Sequence, residues 1–204
     1  MSVVLGIMGH FCSGKSYAAS FFRGKGFLEI DLDHIGKEAL IEKKKEITAC
    51  FGEKILDENE ISPKKLGAVV FEDETEIKKL NQIVHPWMVE KTKELIHQNK
   101  ERNILLHAAI LIQIGLKPLC NYTLYIDAPL KTIVERGIVR NQFSREKIKT
   151  ILKMQKKNNA YSKHADFIIK NNQSLNDFEK KLNHFYNKIT EESNDDARRQ
   201  QSIQ

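Results

Sequence analysis

The glycine loop near the amino terminus constrains this chain more than any other feature. Its eight residues, GHFCSGKS from Gly9 to Ser16, follow the pattern glycine, four residues, glycine, lysine, serine. An apolar run from Val3 to Met8 predicts a buried strand before the loop, and the apolar residues after Lys15 recur at helical spacing. This pattern binds phosphate when such a strand precedes it and such a helix follows it. A plain glycine turn would explain the glycines but not the lysine-serine pair.

The loop supplies several groups to a phosphate. Its glycines let backbone N–H groups curl around the anion, and the helix adds the partial positive charge of its N-terminus. We predict that Lys15 reaches the terminal phosphates and that the hydroxyl of Ser16 binds Mg²⁺. We also predict a reactive thiol at Cys12, because a helix N-terminus lowers a thiol pKa. The predicted nucleotide contacts here are Gly9, His10, Phe11, Cys12, Ser13, Gly14, Lys15, Ser16 and Tyr17.

The composition excludes several classes of protein. With 204 residues, 41% of them hydrophobic, the chain suits one domain with an insertion. Its 33 basic residues are interspersed among 27 acidic ones, so the net charge of +6 favours a polyanionic small substrate over nucleic acid. Because no apolar run reaches about eighteen residues and no leader precedes the first strand, we expect a cytoplasmic protein without a membrane partner. Three cysteines without metal spacing predict free thiols.

Four further apolar runs predict the remaining strands of a sheet. They are Phe27–Ile30, Asn103–Leu111, Tyr122–Ala128 and Asp166–Asn171, and helix-length segments separate them. Nearly continuous apolar strands that alternate with helices are typical of a parallel sheet covered on both faces. The sequence therefore predicts an α/β fold with a five-stranded parallel sheet.

Two long segments predict additions to this core. The interval 35–102 has helical periodicity and no strand of the same kind, so we interpret it as a helical insertion on the acceptor side. The segment 131–160 is helical and basic, and its break at RNQFSRE predicts a helix, a mobile corner and a new helix with Ser144 as its N-cap. The polar, aperiodic residues 191–204 predict a disordered tail.

Two aspartates, Asp31 and Asp33, directly follow the second predicted strand. Open parallel sheets bind ligands at the carboxyl ends of their strands, so one carboxylate can face the water shell of Mg²⁺ and the other an acceptor hydroxyl. The alternative is that Asp33 only caps the next helix. The motif DHIG also fits a GTPase, but it lies close behind Ser16 and the chain has no asparagine-lysine-x-aspartate element for guanine. These two facts argue against that class.

In the order of its motifs the chain resembles the dephospho-CoA kinases, from residue 1 to about residue 190. The matching elements are the phosphate loop, DLD at Asp31–Asp33, HP at His85 and Pro86, the lid arginines Arg136, Arg140 and Arg145, MQ at Met154 and Gln155, and HADFIIKNN at His164–Asn172. The resemblance implies a P-loop NTPase core of three αβα layers with strand order 2-3-1-4-5, a helical acceptor domain and a helical lid. It also implies transfer of the γ-phosphoryl group of ATP, with Mg²⁺, to the ribose 3′-hydroxyl of dephospho-CoA, the last step of coenzyme A synthesis.

The resemblance implies a role for each matching position. Asp33 would accept the proton of the 3′-hydroxyl, while Lys15 and Arg140 would stabilise charge on the transferring phosphoryl group. Asn171 would face the adenine of ATP. The implied acceptor contacts are Asp31, Asp33, His85 and Arg136. The implied domains are a core of 1–34 and 103–190 that includes the lid and an acceptor-binding insertion of 35–102, in a monomer or weak homo-oligomer.

Three of these residues have structural alternatives. His85 precedes a proline and could be only a helix-turn residue, and Arg136 and Arg145 could be solvated charges of the lid. Arg140 lies four residues after Arg136, on the same helical face, which favours a role for it at the site.

Four positions depart from the family pattern. They are His10 and Cys12 where glycine is common, Lys37 where arginine is usual, and Gln113 where a glutamate follows the third strand. Two alternatives stay open: another small-metabolite or nucleoside monophosphate kinase, and a nucleotide-binding module that has lost transfer activity. The joint presence of Lys15, Ser16, Asp33 and Arg140 favours a working kinase, because nucleotide binding alone needs no acceptor-side aspartate.

Overall fold

The computed structural model describes residues 2–71, 73–108, 111–155 and 162–201. The chain forms two compact units, one of Met1–Ile30 with Asn99–Gln204 and one of Asp31–Gln98. We call them the core unit and the insertion unit. The sequence predicts 35–102 for the insertion, so both boundaries of the insertion unit lie slightly upstream of the predicted ones.

Seven strands and nine α-helices are defined in the described residues. The strands are β1 (Val4–Gly9), β2 (Leu28–Asp31), β3 (Leu56–Asp57), β4 (Glu60–Ile61), β5 (Ile104–His107), β6 (Tyr122–Asp127) and β7 (Phe167–Lys170). The helices are α1 (Lys15–Gly24), α2 (Leu32–Glu42), α3 (Lys44–Phe51), α4 (Pro63–Val70), α5 (Glu74–Gln98), α6 (Leu111–Ile114), α7 (Leu130–Asn141), α8 (Arg145–Met154) and α9 (Leu175–Gln201). Within the described ranges, none of these helices has both the length and the apolar character that crossing a membrane requires.

The core unit is built on a five-stranded sheet with the order β2-β5-β1-β6-β7. The central strand, β1, is buried along its whole length and runs parallel to both neighbours, with Ile7 opposite His107 in β5 and Leu124 in β6. Strand β7 continues the sheet parallel to β6. Counted within this sheet the order is 2-3-1-4-5, which confirms the order that the family resemblance implies.

Helices cover both faces of the sheet, and strand alternation assigns each side chain to one of them. Leu5 and Ile7 pack with Phe22 of α1 and Phe178 of α9 in one apolar cluster. On the other face, a Cβ atom on Gly6 would lie only 2.8 Å from Cδ1 of Leu111 in α6. The predicted three-layer αβα architecture is therefore confirmed.

The insertion unit is mostly helical, but it also contains a hairpin that the sequence pattern does not predict. Strands β3 and β4 pair antiparallel, with Leu56 opposite Ile61. Glu58 and Asn59 between them adopt left-handed backbone conformations, with φ of 46° and 67°, as two-residue hairpin turns require. Two-residue strands are too short to give the alternation that identifies a strand in a sequence.

The structure differs from the prediction at the end of the third strand and in the tail. The sequence predicts the third strand over Asn103–Leu111, but β5 ends at His107 and α6 begins at Leu111, because an apolar run alone does not separate strand from buried helix. Residues 109–110 lie outside the described residues, as do residues 156–160 of the predicted lid, 131–160. The predicted disordered tail is helical as far as Gln201. Its Glu, Ala, Arg and Gln residues are good helix formers, so the packed helix α9 propagates into it.

Candidate active site

The phosphate loop begins where β1 ends, at Gly9, and leads directly into α1 at Lys15. Both of its glycines are required by close contacts. A Cβ on Gly9 would lie 2.5 Å from the carbonyl oxygen of Ile126, and one on Gly14 would lie 2.4 Å from Nδ2 of Asn171. The φ angle of Gly14 is also 111°, in the region that side chains disfavour.

Hydrogen bonds inside the loop hold its shape. The Ser13 N–H donates to the carbonyl of His10 over 3.2 Å, and the Nζ of Lys15 donates to the same carbonyl over 2.9 Å. The Lys15 ammonium therefore lies across the loop, where a phosphate would be held. The hydroxyl of Ser13 is buried and has no hydrogen-bond partner within the described ranges. Ser16, the second residue of α1, is exposed.

Asn171 and Arg136 are hydrogen-bonded to the loop and to each other. The Nδ2 of Asn171 donates to the Ser13 carbonyl over 2.8 Å, and its Oδ1 accepts from Nη2 of Arg136 over 3.1 Å. The Nη1 of Arg136 also donates to the Ser13 carbonyl, over 3.3 Å. Asn171 is buried, and both ends of its amide are engaged, so its side chain braces the loop and the lid.

A cavity of about 310 Å³ lies beside Asn171 and Arg136. Its lining residues are Gly14, Tyr17, Arg136, Arg140, Asn171, Leu175 and Phe178. The rings of Tyr17 and Phe178 lie 5.9 Å apart, and the Tyr17 hydroxyl donates to Glu179, which raises the pKa of Tyr17. Aromatic, aliphatic and guanidinium surfaces together suit a flat, uncharged ring held next to the phosphate loop.

Sequence reasoning does not identify Leu175 and Phe178 as cavity residues. Both belong to α9, and their apolar character indicates only a helix face. They follow Asn171 by four and seven residues, however, so the segment after the last strand is the signal that could have identified them.

Cys12 contradicts the prediction of a reactive thiol. Burial raises the pKa of Cys12, and this effect outweighs the lowering by the charges of Arg140, Lys15 and Arg136. The acidic thiol that the sequence predicts at this position is therefore not found. Two of the three lid arginines, Arg136 and Arg140, therefore lie near the loop. Burial, followed by the charge of Arg140, lowers the pKa of Arg136 itself.

The other predicted site residues lie in the insertion unit. Asp31 is the N-cap of α2, and its Oδ1 accepts from the Asp33 N–H over 2.9 Å. The capping role considered for Asp33 therefore belongs to Asp31. Asp33 is an exposed residue of the first turn of α2, and within the described part of the chain its carboxylate makes no hydrogen bond or ion pair.

His85 lies inside α5, directly before Pro86. It is half-buried, and burial lowers its pKa, so the imidazole is neutral near pH 7. Two of the four departures from the family pattern lie on exposed helix positions, Lys37 in α2 and Gln113 in α6, whereas His10 is buried and Cys12 half-buried in the loop. The structure thus brings together the loop, Arg136, Arg140 and Asn171, while Asp31, Asp33 and His85 belong to the other unit.

Comparisons with known proteins show the family of this chain. The sequence profile of a family described as dephospho-CoA kinase matches residues 3–177. A dephospho-CoA kinase from Fusobacterium nucleatum is 35% identical over 187 residues, which cover 90% of this chain and 96% of the relative. The structure is similar to one from Thermus thermophilus, with a TM-score of 0.79, 27% identity and coverage of 92% of this chain and 98% of that one.

A dephospho-CoA kinase from Campylobacter jejuni shares the fold, with a TM-score of 0.71 and 24% identity over 95% of this chain and 100% of that one. The match of the family profile covers most of the chain, including the phosphate loop, the lid arginines and Asn171. The chain belongs to the dephospho-CoA kinase family.

Proposed function

We propose that this chain transfers the γ-phosphoryl group of ATP to the ribose 3′-hydroxyl of dephospho-CoA, giving coenzyme A and ADP in the last step of coenzyme A synthesis. The observation that carries the proposal is the assembly of a phosphate loop, two lid arginines and an adjoining cavity in a member of this family. Phosphoryl transfer depends mainly on positioning and on neutralising charge, and this assembly supplies both.

The adenosine of ATP occupies the cavity between Tyr17, Phe178 and the lid, and its phosphates follow the loop toward Lys15. Gly14 and Asn171 support this placement, because they pack against each other and both line the cavity, so the cavity adjoins the loop. The buried hydroxyl of Ser13 offers a further polar partner. Asn171 acts on the nucleotide through the loop and Arg136, since its own amide is engaged.

Ser16 would hold Mg²⁺ through its hydroxyl. An exposed hydroxyl at the start of a helix fits a hard cation, which prefers oxygen ligands and completes its shell with phosphate oxygens and water. When bound, Mg²⁺ supplies positive charge to the terminal phosphates.

In the transfer step the 3′-oxygen forms a bond to the γ-phosphorus as the bond from that phosphorus to the bridging oxygen of ADP breaks. Asp33 accepts the proton that the 3′-hydroxyl loses, and Lys15 and Arg140 neutralise charge on the phosphoryl group. An exposed carboxylate directly behind β2 supports this role for Asp33, since Asp31 already caps the helix. We propose Asp31, His85 and Arg136 as acceptor contacts.

The product identifies the reaction. Incubation with ATP, Mg²⁺ and dephospho-CoA, followed by mass spectrometry and phosphorus NMR, should show one added phosphate on the ribose 3′-oxygen. Lys15→Ala is the matched control and should form no product while keeping its fold, because it removes a partly exposed side chain of the phosphate loop. A phosphate on any other atom, or equal product from Lys15→Ala, contradicts the proposal.

We further propose that the protein acts in the cytoplasm as a monomer or weak homo-oligomer, on a small molecule rather than on nucleic acid. Its three free cysteines suit a reducing compartment. Sedimentation over a range of concentrations tests the oligomeric state.

A further inference from the structure

An aromatic side chain of the phosphate loop contacts the lid helices, which we define as α7 and α8. The Phe11 ring stacks on Phe143, in the turn between these helices, with ring centroids 5.8 Å apart and planes 10° apart. A Cβ on Gly137 of α7 would lie 3.3 Å from Cε1 of Phe11, so the ring lies against α7 as well. The side chain of this loop residue is therefore directed to the lid.

The backbone of the same residue is bonded to the far end of the lid. The Phe11 N–H donates to Oε1 of Gln155 over 2.9 Å, and Gln155 is the C-cap of α8. Phe11 therefore contacts the lid in two places. Its ring contacts the turn between α7 and α8, and its N–H contacts the end of α8.

Local structure fixes the turn that carries Phe143. Gln142 ends α7 in a left-handed conformation, with φ of 53°, and the Ser144 side chain caps α8 by accepting from the Lys147 N–H over 3.2 Å. The Nζ of Lys147 lies 3.8 Å from the centre of the Phe143 ring, on the ring's face. A cation over an aromatic face is attracted to it, which orients the ring.

We propose that Phe11 is a positioning residue for phosphoryl transfer: its ring and its N–H hold the lid helices over the phosphate loop. This contact keeps Arg136 and Arg140, both on α7, beside the loop and its cavity. The inference rests on the proposed function only where its effect is measured as a rate. If the contact is lost, the lid is closed for a smaller fraction of the time and the turnover falls in proportion.

Single and double substitutions test this role. Phe11→Leu and Phe143→Leu keep apolar volume but remove ring stacking, and each should lower kcat about threefold to tenfold, with less than about a twofold change in the Kd for ATP. The double variant should lose no more than the worse single variant, because both changes break one contact. Phe143→Tyr keeps the ring and should retain the activity.

Phe167→Leu is the matched control. Phe167 is also half-buried, packs against aromatic rings and has a lysine, Lys188, over its face at 4.8 Å, but it lies in β7. It should leave kcat unchanged. Losses that multiply in the double variant, or single variants that behave like Phe167→Leu, would overturn the inference.

A second readout needs no acceptor. Cys12 is half-buried next to Phe11, whereas Cys50 is exposed in the insertion unit. In Phe143→Leu, alkylation of the Cys12 thiolate should speed up about threefold to tenfold, while Cys50 reacts as before. Peptide mass spectrometry gives both rates, which are taken at the plateau of their pH profiles so that a change in thiol pKa does not enter. An unchanged rate at Cys12 overturns the inference. A faster rate at Cys12 supports it even in a protein that fails to phosphorylate dephospho-CoA, which would contradict only the proposed function.

Discussion

Arg136 and Arg140 lie one helical turn apart on α7 but have different surroundings. Both Nη atoms of Arg136 donate hydrogen bonds, one to the Ser13 carbonyl and one to Oδ1 of Asn171. Arg140 lines the same cavity as Arg136, and within the described residues its guanidinium makes no hydrogen bond. We therefore assign the neutralisation of charge on the transferring phosphoryl group to Arg140.

Arg140→Ala should lower kcat by about 10²- to 10³-fold, because a preorganised cation is worth most when charge develops in the transition state. The KM for ATP should change much less. Arg145, an exposed residue that begins α8, is the control, and Arg145→Ala should change kcat about fivefold or less. Steady-state kinetics with varied ATP checks both variants. Equal effects confined to KM would mean that these arginines only attract the nucleotide.

Asp33 tests whether the chain carries an acceptor-side base. Asp33→Asn should lower kcat about 10²- to 10⁴-fold, the usual loss for a general base, which corresponds to about 3 to 5 kcal/mol of barrier. Its melting temperature and ATP affinity should stay close to those of the wild type, because Asp31 provides the helix cap. Near-normal kcat in this variant would exclude Asp33 as the base.

Asp31→Ala provides the contrast in stability. It removes the carboxylate that caps α2 and should cost about 1 kcal/mol of unfolding free energy. A denaturant titration of the two variants separates capping from catalysis. Greater destabilisation by Asp33→Asn than by Asp31→Ala would show that the capping assignment is wrong.

His85 should make the stability of the protein depend on pH. Burial lowers the pKa of His85 below its ordinary value of 6.5, so below that pH the unfolded chain binds a proton more readily than the folded one. Stability should therefore fall as the pH falls from 6.5 toward the lower pKa of the folded state. Between these limits the melting temperature of the wild type should drop more than that of His85→Gln. Parallel curves for the two proteins would mean that His85 is not the responsible group.

At the scale of the elements, the strand–loop–helix unit depends on Gly14. Gly14→Ala should destabilise the protein and abolish ATP binding, because the new Cβ would meet Asn171 at 2.4 Å with φ at 111°. Gly24, the last residue of α1, is the matched control, because a Cβ at that position would have no neighbouring atom within 4 Å. Gly24→Ala should keep its activity and gain up to about 1 kcal/mol of stability. Melting curves with and without ATP measure both effects.

Whether an element can be predicted depends on how far apart its interacting residues lie in the sequence. The loop, α1 and the Ser144 cap are predictable, because each depends on residues within one turn of each other. The hydrogen bond from Asn171 to the Ser13 carbonyl is not predictable, because the two residues are 158 positions apart and only the packed sheet brings them together. Phe11 and Phe143 are also far apart in the chain, so their contact is not predictable from local sequence. The position of Phe11 in the loop suggests only a nucleotide contact.

At the scale of the whole molecule, the sheet order is implied by resemblance to a family and not by periodicity. Apolar runs indicate five strands, but pairing across β5, β1 and β6 depends on crossovers that no local pattern specifies. The hairpin of the insertion unit and the helical end of α9 escape sequence reasoning for a different reason. Both are short or weakly patterned segments, whose structure depends on the neighbouring packed elements.

The insertion unit, Asp31–Gln98, is large for the pocket of a simple nucleoside monophosphate and suits a long acceptor. We therefore expect dephospho-CoA to be the preferred acceptor. Competition between acceptors tests this claim most directly. ADP release from ATP and Mg²⁺ would be measured with dephospho-CoA, AMP, CMP and shikimate, each alone and then together. We predict a kcat/KM for dephospho-CoA well above that for every other acceptor, and faster release with AMP, CMP or shikimate would contradict this claim.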